Sequence, residues 1–172
     1  MFLSVQEMEL RKVRFDETFP PDEIRFFDGE LWQAGPLNAV GTAELLHNTD
    51  GEIRIRGRLK VRMEAKCDRC LETASFPVDV GFDLFYLPVK AGPAHEEVAL
   101  DAGQIEIDFY EGEGLELEGV LREQILLALP MQRVCREDCR GICPVCGESR
   151  NEAACDCQTK APDDRWAALR NL

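Results

Sequence analysis

The sequence predicts an α+β fold, mostly antiparallel β sheet with one central helix, followed by a C-terminal cysteine-rich zinc segment and a short terminal helix. Three observations carry this. Residues 53–67 alternate strictly between apolar and polar, the spacing turns helical after Leu117, and six cysteines crowd into positions 135–157.

In the first stretch the odd positions read Ile53, Ile55, Gly57, Leu59, Val61, Met63, Ala65 and Cys67. The even ones read Arg54, Arg56, Arg58, Lys60, Arg62, Glu64 and Lys66. Successive strand side chains point to opposite faces, so this is a long strand with one wet face. Asn48-Thr49-Asp50-Gly51 is a hairpin-turn signal, which makes 40–47 the partner strand. Phe76, Val78, Val80, Phe82, Leu84 and Tyr86 alternate with Asp79, Gly81 and Asp83, giving a second half-buried strand. A tight connection over 67–73 would set it antiparallel to the first. Ile105, Ile107 and Phe109 suggest a further short strand, and Leu3 to Phe15 one at the N-terminus.

Leu117, Val120, Leu121, Gln124, Ile125 and Ala128 recur at helical spacing, and Pro130 stops the run, so a helix is expected at about 115–129. Trp166, Leu169 and Leu172 mark one face of a short helix within 163–172. Loops are expected at 88–94 and at the Gly112–Gly114 turn. The division is a β-rich domain over 1–130 and a zinc-binding segment over 131–172 packed on it.

The six C-terminal cysteines are Cys135, Cys139, Cys143, Cys146, Cys155 and Cys157, and a further pair, Cys67 and Cys70, ends the long strand. Cys143-Pro144-Val145-Cys146-Gly147 is the sharpest piece. Two cysteines separated by two residues can point both sulfurs at one tetrahedral metal, and a glycine after them lets the backbone turn tightly. Eight thiols suffice for two four-thiolate sites. One partition groups Cys67, Cys70, Cys135 and Cys139, and Cys143, Cys146, Cys155 and Cys157. The other puts a single ion on Cys135, Cys139, Cys143 and Cys146. Zinc, as one or two ions, is the expected metal, and iron shares the same donor set. Cys67-Asp68-Arg69-Cys70 also has the spacing of a disulfide-exchange pair, so a thiol-based redox or metal-handling protein is the alternative reading. Arg133, Arg136, Arg140 and Arg150 flank the cluster, either offsetting the negative charge of thiolate sites or simply solvated.

No apolar run approaches the ~18–20 residues that span a bilayer. Glu7 and Glu9 sit among the first apolar residues, unlike a signal peptide. A cytoplasmic protein with no membrane partner is expected, and in that reducing compartment disulfides are a poor explanation for the thiols. The net charge of −13 argues against broad phosphate binding and for a basic protein partner. Two charged surfaces stand out. Arg54, Arg56, Arg58, Lys60 and Arg62 form a basic strip that could track RNA or neutralise an acidic neighbour. The stretch 101–123 holds eight acids against one arginine, among them Glu111, Glu113, Glu116 and Glu118. His47 and His95 have no obvious nucleophile beside them, and no phosphate-binding glycine loop occurs, so neither an enzyme nor a small-molecule substrate is expected.

Several strings together resemble the YceD family, a family of large ribosomal RNA subunit accumulation proteins. They are Leu129-Pro130, Cys135, Asp138-Cys139-Arg140-Gly141-Ile142-Cys143-Pro144-Val145-Cys146-Gly147, Cys155-Asp156-Cys157 and Asp164-Arg165-Trp166-Ala167-Ala168-Leu169, with Cys67-Asp68-Arg69-Cys70-Leu71-Glu72 upstream. The resemblance covers about 60–172. It implies a non-catalytic accessory factor for accumulation of large-subunit ribosomal RNA and assembly of the large subunit. Its partners would be large-subunit precursors, through a ribosomal protein or the rRNA. Two departures stand in the sequence. Ser149-Arg150-Asn151 replaces the family's Asn-Leu-Asn, and Asp163-Asp164-Arg165 its Asp-Pro-Arg. Some members lack most of the C-terminal cysteines, which would make the cluster a matter of stability more than of shared activity.

Overall fold

A computed structural model describes residues 1–26, 29–89, 107–152 and 155–157. In chain order the elements are β1 (Phe2–Ser4), α1 (Val5–Leu10), β2 (Val13–Phe19), β3 (Leu31–Gln33), β4 (Leu37–Leu45), β5 (Ile53–Lys66), β6 (Thr73–Pro88), β7 (Ile107–Tyr110), β8 (Gly114–Glu116) and α2 (Leu117–Ala128). A six-stranded sheet runs β2-β4-β5-β6-β7, with β3 also paired to β5, and a two-stranded sheet joins β1 to β8. The chain divides into two compact units. One holds Met1–Ala65 and Ser75–Met131. The other holds Lys66–Ala74 and the described residues from Gln132 onward.

The alternation in β5 sorts its faces as its pattern requires. Ile53, Ile55, Leu59, Met63 and Ala65 are fully buried, while Arg56, Arg58, Lys60 and Arg62 are exposed. In β6 the buried set is Ala74, Val78, Phe82 and Tyr86. β4 and β5 are antiparallel, joined by a turn in which the Leu46 N–H donates to the Glu52 carbonyl at 2.8 Å. Gly41 and Gly57 face each other in this ladder. A Cβ at Gly41 would lie 2.4 Å from Phe15 Cζ, and one at Gly57 2.7 Å from Phe82 Cζ. The two bare backbones therefore make room for two aromatic rings in the core, an arrangement that offsets what glycine costs inside a strand.

Helix α2 contributes Leu117, Val120, Leu121 and Ile125 to the same buried cluster as the inner faces of the strands. Each such side chain, removed from water, stabilises the fold by about 1.5–3 kcal/mol. The helix ends before Pro130, as the sequence requires: the Leu129 N–H still donates to the Ile125 carbonyl, and Leu129 itself is extended.

The pairing is mostly antiparallel, as expected, with one parallel pair, β6 with β7. One feature corrects the sequence expectation: among the described residues a second helix, α1, joins the expected central one. The stretch expected as a single N-terminal strand holds β1, the six-residue α1 and the start of β2. β8 falls directly after the turn expected at Gly112–Gly114, pairing Leu3 with Leu115. The expected helix within 163–172, and Ile105 of the expected strand, lie outside the described residues. Among those described, no helix is long and apolar enough to cross a membrane.

Candidate metal centres

The unit built from Lys66–Ala74 and the residues from Gln132 onward carries all eight cysteines. Their sulfurs gather in two groups. Cys67, Cys70, Cys135 and Cys139 form the first cluster, and Cys143, Cys146, Cys155 and Cys157 the second, each with its four sulfurs within 4.8 Å of one another. This is the two-site partition; the grouping of Cys135, Cys139, Cys143 and Cys146 does not form.

Each cluster starts from the same backbone device. In the first, the Cys67 N–H donates to the Glu72 carbonyl (2.7 Å), the Leu71 N–H to the Cys67 carbonyl (2.9 Å), and the Arg69 N–H to the Cys67 sulfur (3.5 Å). In the second, the Cys143 N–H donates to Glu148 O (2.8 Å), the Gly147 N–H to Cys143 O (2.8 Å), and the Val145 N–H to the Cys143 sulfur (3.5 Å). The residue after each second cysteine is left-handed, Leu71 at φ 65° and Gly147 at φ 77°. The two C-x-x-C loops are thus one knuckle made twice, with a glycine where the turn demands it only in the second. For a non-glycine residue the left-handed region costs about 1–2 kcal/mol. Gly147→Ala is therefore expected to destabilise the unit by about 1–2 kcal/mol. Leu71→Gly is expected to be neutral or stabilising by up to about 1 kcal/mol, because Leu71 is 59% exposed and loses little burial. Thermal unfolding of the two variants checks the contrast.

The donor set fits a tetrahedral ion. A zinc–sulfur bond of about 2.3 Å gives a sulfur–sulfur edge of about 3.8 Å. The Cys67 and Cys139 sulfurs are 3.8 Å apart and those of Cys70 and Cys135 3.6 Å. The electrostatics agree. Burial works to raise the Cys67 thiol, but backbone N–H groups of Cys70, Arg69 and Cys135 aimed at its sulfur overcome this and hold it down at about 6. The N–H groups of Cys146 and Val145 likewise hold Cys143 at about 6. Burial pushes Cys70 up to about 12, and its thiol neighbours add to this. Cys157 is pushed to about 12, first by Cys146 and then by burial. Each cluster thus pairs a thiol held low, suited to donate to a cation as thiolate, with a crowded one held high.

Residues that the cysteine spacing did not single out hold the first cluster in place. The Arg69 guanidinium donates to the Glu137 and Cys139 carbonyls (3.2 and 3.1 Å) and to Gln132 Oε1 (3.2 Å). The Asp68 carboxylate accepts from the Arg133 N–H at 2.6 Å. Asn151 Nδ2 donates to the Cys139 sulfur at 3.5 Å. Gly141 passes so close to the Arg69 carbonyl that a Cβ there would lie 2.8 Å from the oxygen. Of the four flanking arginines, Arg150 reaches a sulfur, Cys143 Sγ at 3.7 Å, whereas Arg133 pairs with Asp68 and Arg136 with Asp138.

The family profile described as "Large ribosomal RNA subunit accumulation protein YceD" matches residues 55–172. The chain belongs to the YceD family. Among curated relatives, the Bacillus subtilis protein YlbN is 21% identical over 169 residues, covering 98% of this chain and 92% of the relative. The Mycobacterium tuberculosis protein Rv2926c is 30% identical over 96 residues, covering 55% of this chain and 44% of the relative. The Arabidopsis thaliana chloroplastic "Large ribosomal RNA subunit accumulation protein YCED homolog 1" is 23% identical over 145 residues, covering 70% of this chain and 44% of the relative. No solved structure matches the chain.

In this YceD-family chain the basic strip meets partners that the sequence reading did not assign. Arg54 and Arg56 reach Asp83 (2.7 and 3.2 Å), and Arg58 and Lys60 reach Asp79 (2.5 and 3.1 Å). Arg54 also lies 5.2 Å over the Phe85 ring. Hydrogen bonds from Arg58 and Arg54 hold the Asp79 and Asp83 carboxyls below the usual range. The acidic neighbours found are therefore Asp79 and Asp83 of β6, and four bases sharing two carboxylates leave the strip with a net positive charge. Of the acids proposed for a partner, Glu111, Glu113 and Glu116 are exposed. Glu118 is engaged by the N-terminal ammonium, at the first turn of α2.

Proposed function

We propose that the protein is a non-catalytic, cytoplasmic accessory factor for accumulation of large-subunit ribosomal RNA and assembly of the large ribosomal subunit, with structural zinc in its two cysteine clusters. The family match over 55–172 carries this reading, and the name of the Arabidopsis relative supports it. The cysteine geometry supports metal over disulfide exchange. Cys67 and Cys70 each lie close to a sulfur of the distant pair Cys135 and Cys139, and both are buried, whereas an exchange cysteine needs an accessible thiolate. All eight thiols lie in the clusters, so none stands apart as a nucleophile. Eight thiolates and two dications add a net four negative charges, taking the formal charge from −13 to −17. So acidic a protein suits a basic ribosomal protein better than bare RNA, with the strip Arg54–Arg62 adding at most a local phosphate contact. Sucrose-gradient fractionation of cells carrying the tagged chain is the test. Co-sedimentation with large-subunit precursors is expected, together with a fall in large-subunit rRNA on depletion. A chain found only at the top of the gradient, with normal rRNA after depletion, would refute the reading.

A further inference from the structure

The two clusters share a knuckle but differ in what completes it and in what covers it. In the first, Cys67, Cys70 and Cys139 are buried and Cys135 is half-buried. Its two halves are laced together. The Asp68 N–H donates to the Arg133 carbonyl and the Arg133 N–H to the Asp68 carboxylate, at 2.7 and 2.6 Å. The Arg69 guanidinium grips the carbonyls of Glu137 and Cys139. In the second, Cys143 alone is buried, Cys146 is exposed, and Cys155 and Cys157 are half-buried. Its second pair is a C-x-C that lies in no helix or strand. The knuckle is pinned by the Ile142–Ser149 bridge and by Arg150 on the Cys143 sulfur. Arg150 also hydrogen-bonds the Cys155 sulfur, but among the described residues no guanidinium grips backbone carbonyls across this cluster as Arg69 does across the first.

A metal leaves a thiolate site by substitution, in which an incoming ligand reaches the ion and sulfurs are released one at a time. Shielding slows the first step. Outer hydrogen bonds that return each sulfur to its place oppose the second, and such contacts are worth about 10–100-fold in metal affinity. We infer that the second cluster is an exchangeable divalent-metal site, whose occupancy follows the free metal concentration, and that the first is permanently filled. This rests on the reading that both clusters bind zinc. The loops that carry Cys143, Cys146, Cys155 and Cys157 are then the metal-responsive part of the protein, able to open while the first cluster stays closed.

The test uses the full chain loaded with zinc and challenged with an excess of the chromogenic chelator 4-(2-pyridylazo)resorcinol. Release is expected in two steps of one equivalent each, the first at least about tenfold faster. Iodoacetamide labelling mapped by mass spectrometry after the fast step is expected on Cys143, Cys146, Cys155 and Cys157, with Cys67, Cys70, Cys135 and Cys139 protected. Cys146→Ser is expected to retain one equivalent that leaves at the slow rate. A single step that exposes both clusters together, or labelling of the first cluster before the second, overturns the inference while leaving zinc binding intact. A chain that takes up no zinc, with all eight thiols labelled from the start, overturns the metal reading as well.

Discussion

Cys70→Ser is expected to cost the protein one metal equivalent and to unfold the first cluster. Cys70 is 5% exposed and its sulfur sits 3.6 Å from that of Cys135, so a serine leaves three thiolates and a poor fourth donor. A structural zinc contributes about 10–16 kcal/mol of apparent binding free energy in small zinc peptides near neutral pH. That equals or exceeds the whole stability of an ordinary domain, about 5–15 kcal/mol. Amide protection is therefore expected to collapse at Cys67–Leu71 and across 132–139, where Asp68 and Arg69 bond to Arg133, Glu137 and Cys139. It is expected to persist at Ile55, Leu59 and Val61, whose burial comes from the apolar cluster of the other unit. Unchanged exchange at 132–139 would show that the site carries no folding energy. The pH dependence has a definite sign. Cys67 and Cys143, held at about 6 against an ordinary value of 9.0, stabilise the metal-free fold fully above pH 9.0. That contribution declines as pH falls and is gone below about 6. Cys70 and Cys157, near 12, must give up protons when metal binds, so affinity is expected to rise with pH through neutrality, with proton release visible by calorimetry in paired buffers.

The second large effect concerns the partner. Reversing Glu111, Glu113 and Glu116 to Lys is expected to reduce co-sedimentation with large-subunit precursors by at least about tenfold, because like charges set against a basic partner cost several kcal/mol. Glu118 is left alone, since its carboxylate holds the N-terminal ammonium and its loss would disturb α2. Replacing Arg54, Arg56, Arg58, Lys60 and Arg62 with Gln is expected to weaken association only about two- to threefold, with a shallower salt dependence. Circular dichroism confirms that both variants fold. The opposite ranking, with the acidic variant bound and the basic-strip variant lost, would make the protein an RNA binder first.

How far the sequence was legible follows from which forces are local. The faces of β5 and β6 were readable because burial is written into alternate side chains. The knuckle at Cys143 was readable because its spacing and its glycine are chemical requirements. Leu71 hid the equivalence of the other knuckle, since nothing about a leucine announces a left-handed turn. α1 was missed because its six residues bury only Met8, too little for a helical period to show. β8 was hidden because its partner β1 lies more than a hundred residues away, and the parallel direction of β7 is set by the path of the chain, not by Ile107–Tyr110. Charge alone did not name the neighbour of the basic strip: strand order brings Asp79 and Asp83 there.

The first cluster also sets a timetable for synthesis. Cys70 and the sulfur beside it, Cys135, are separated by 65 positions in the chain. At about 5–20 residues per second, the nascent polypeptide carries its first knuckle as an open half-site for roughly 3–13 s before the other pair is made. During that interval Cys67 and Cys70 lack the Cys135 and Cys139 sulfurs that complete their cluster. On the metal reading proposed above, closure of the first cluster waits both for the chain to reach Cys139 and for a cation to meet the four thiols.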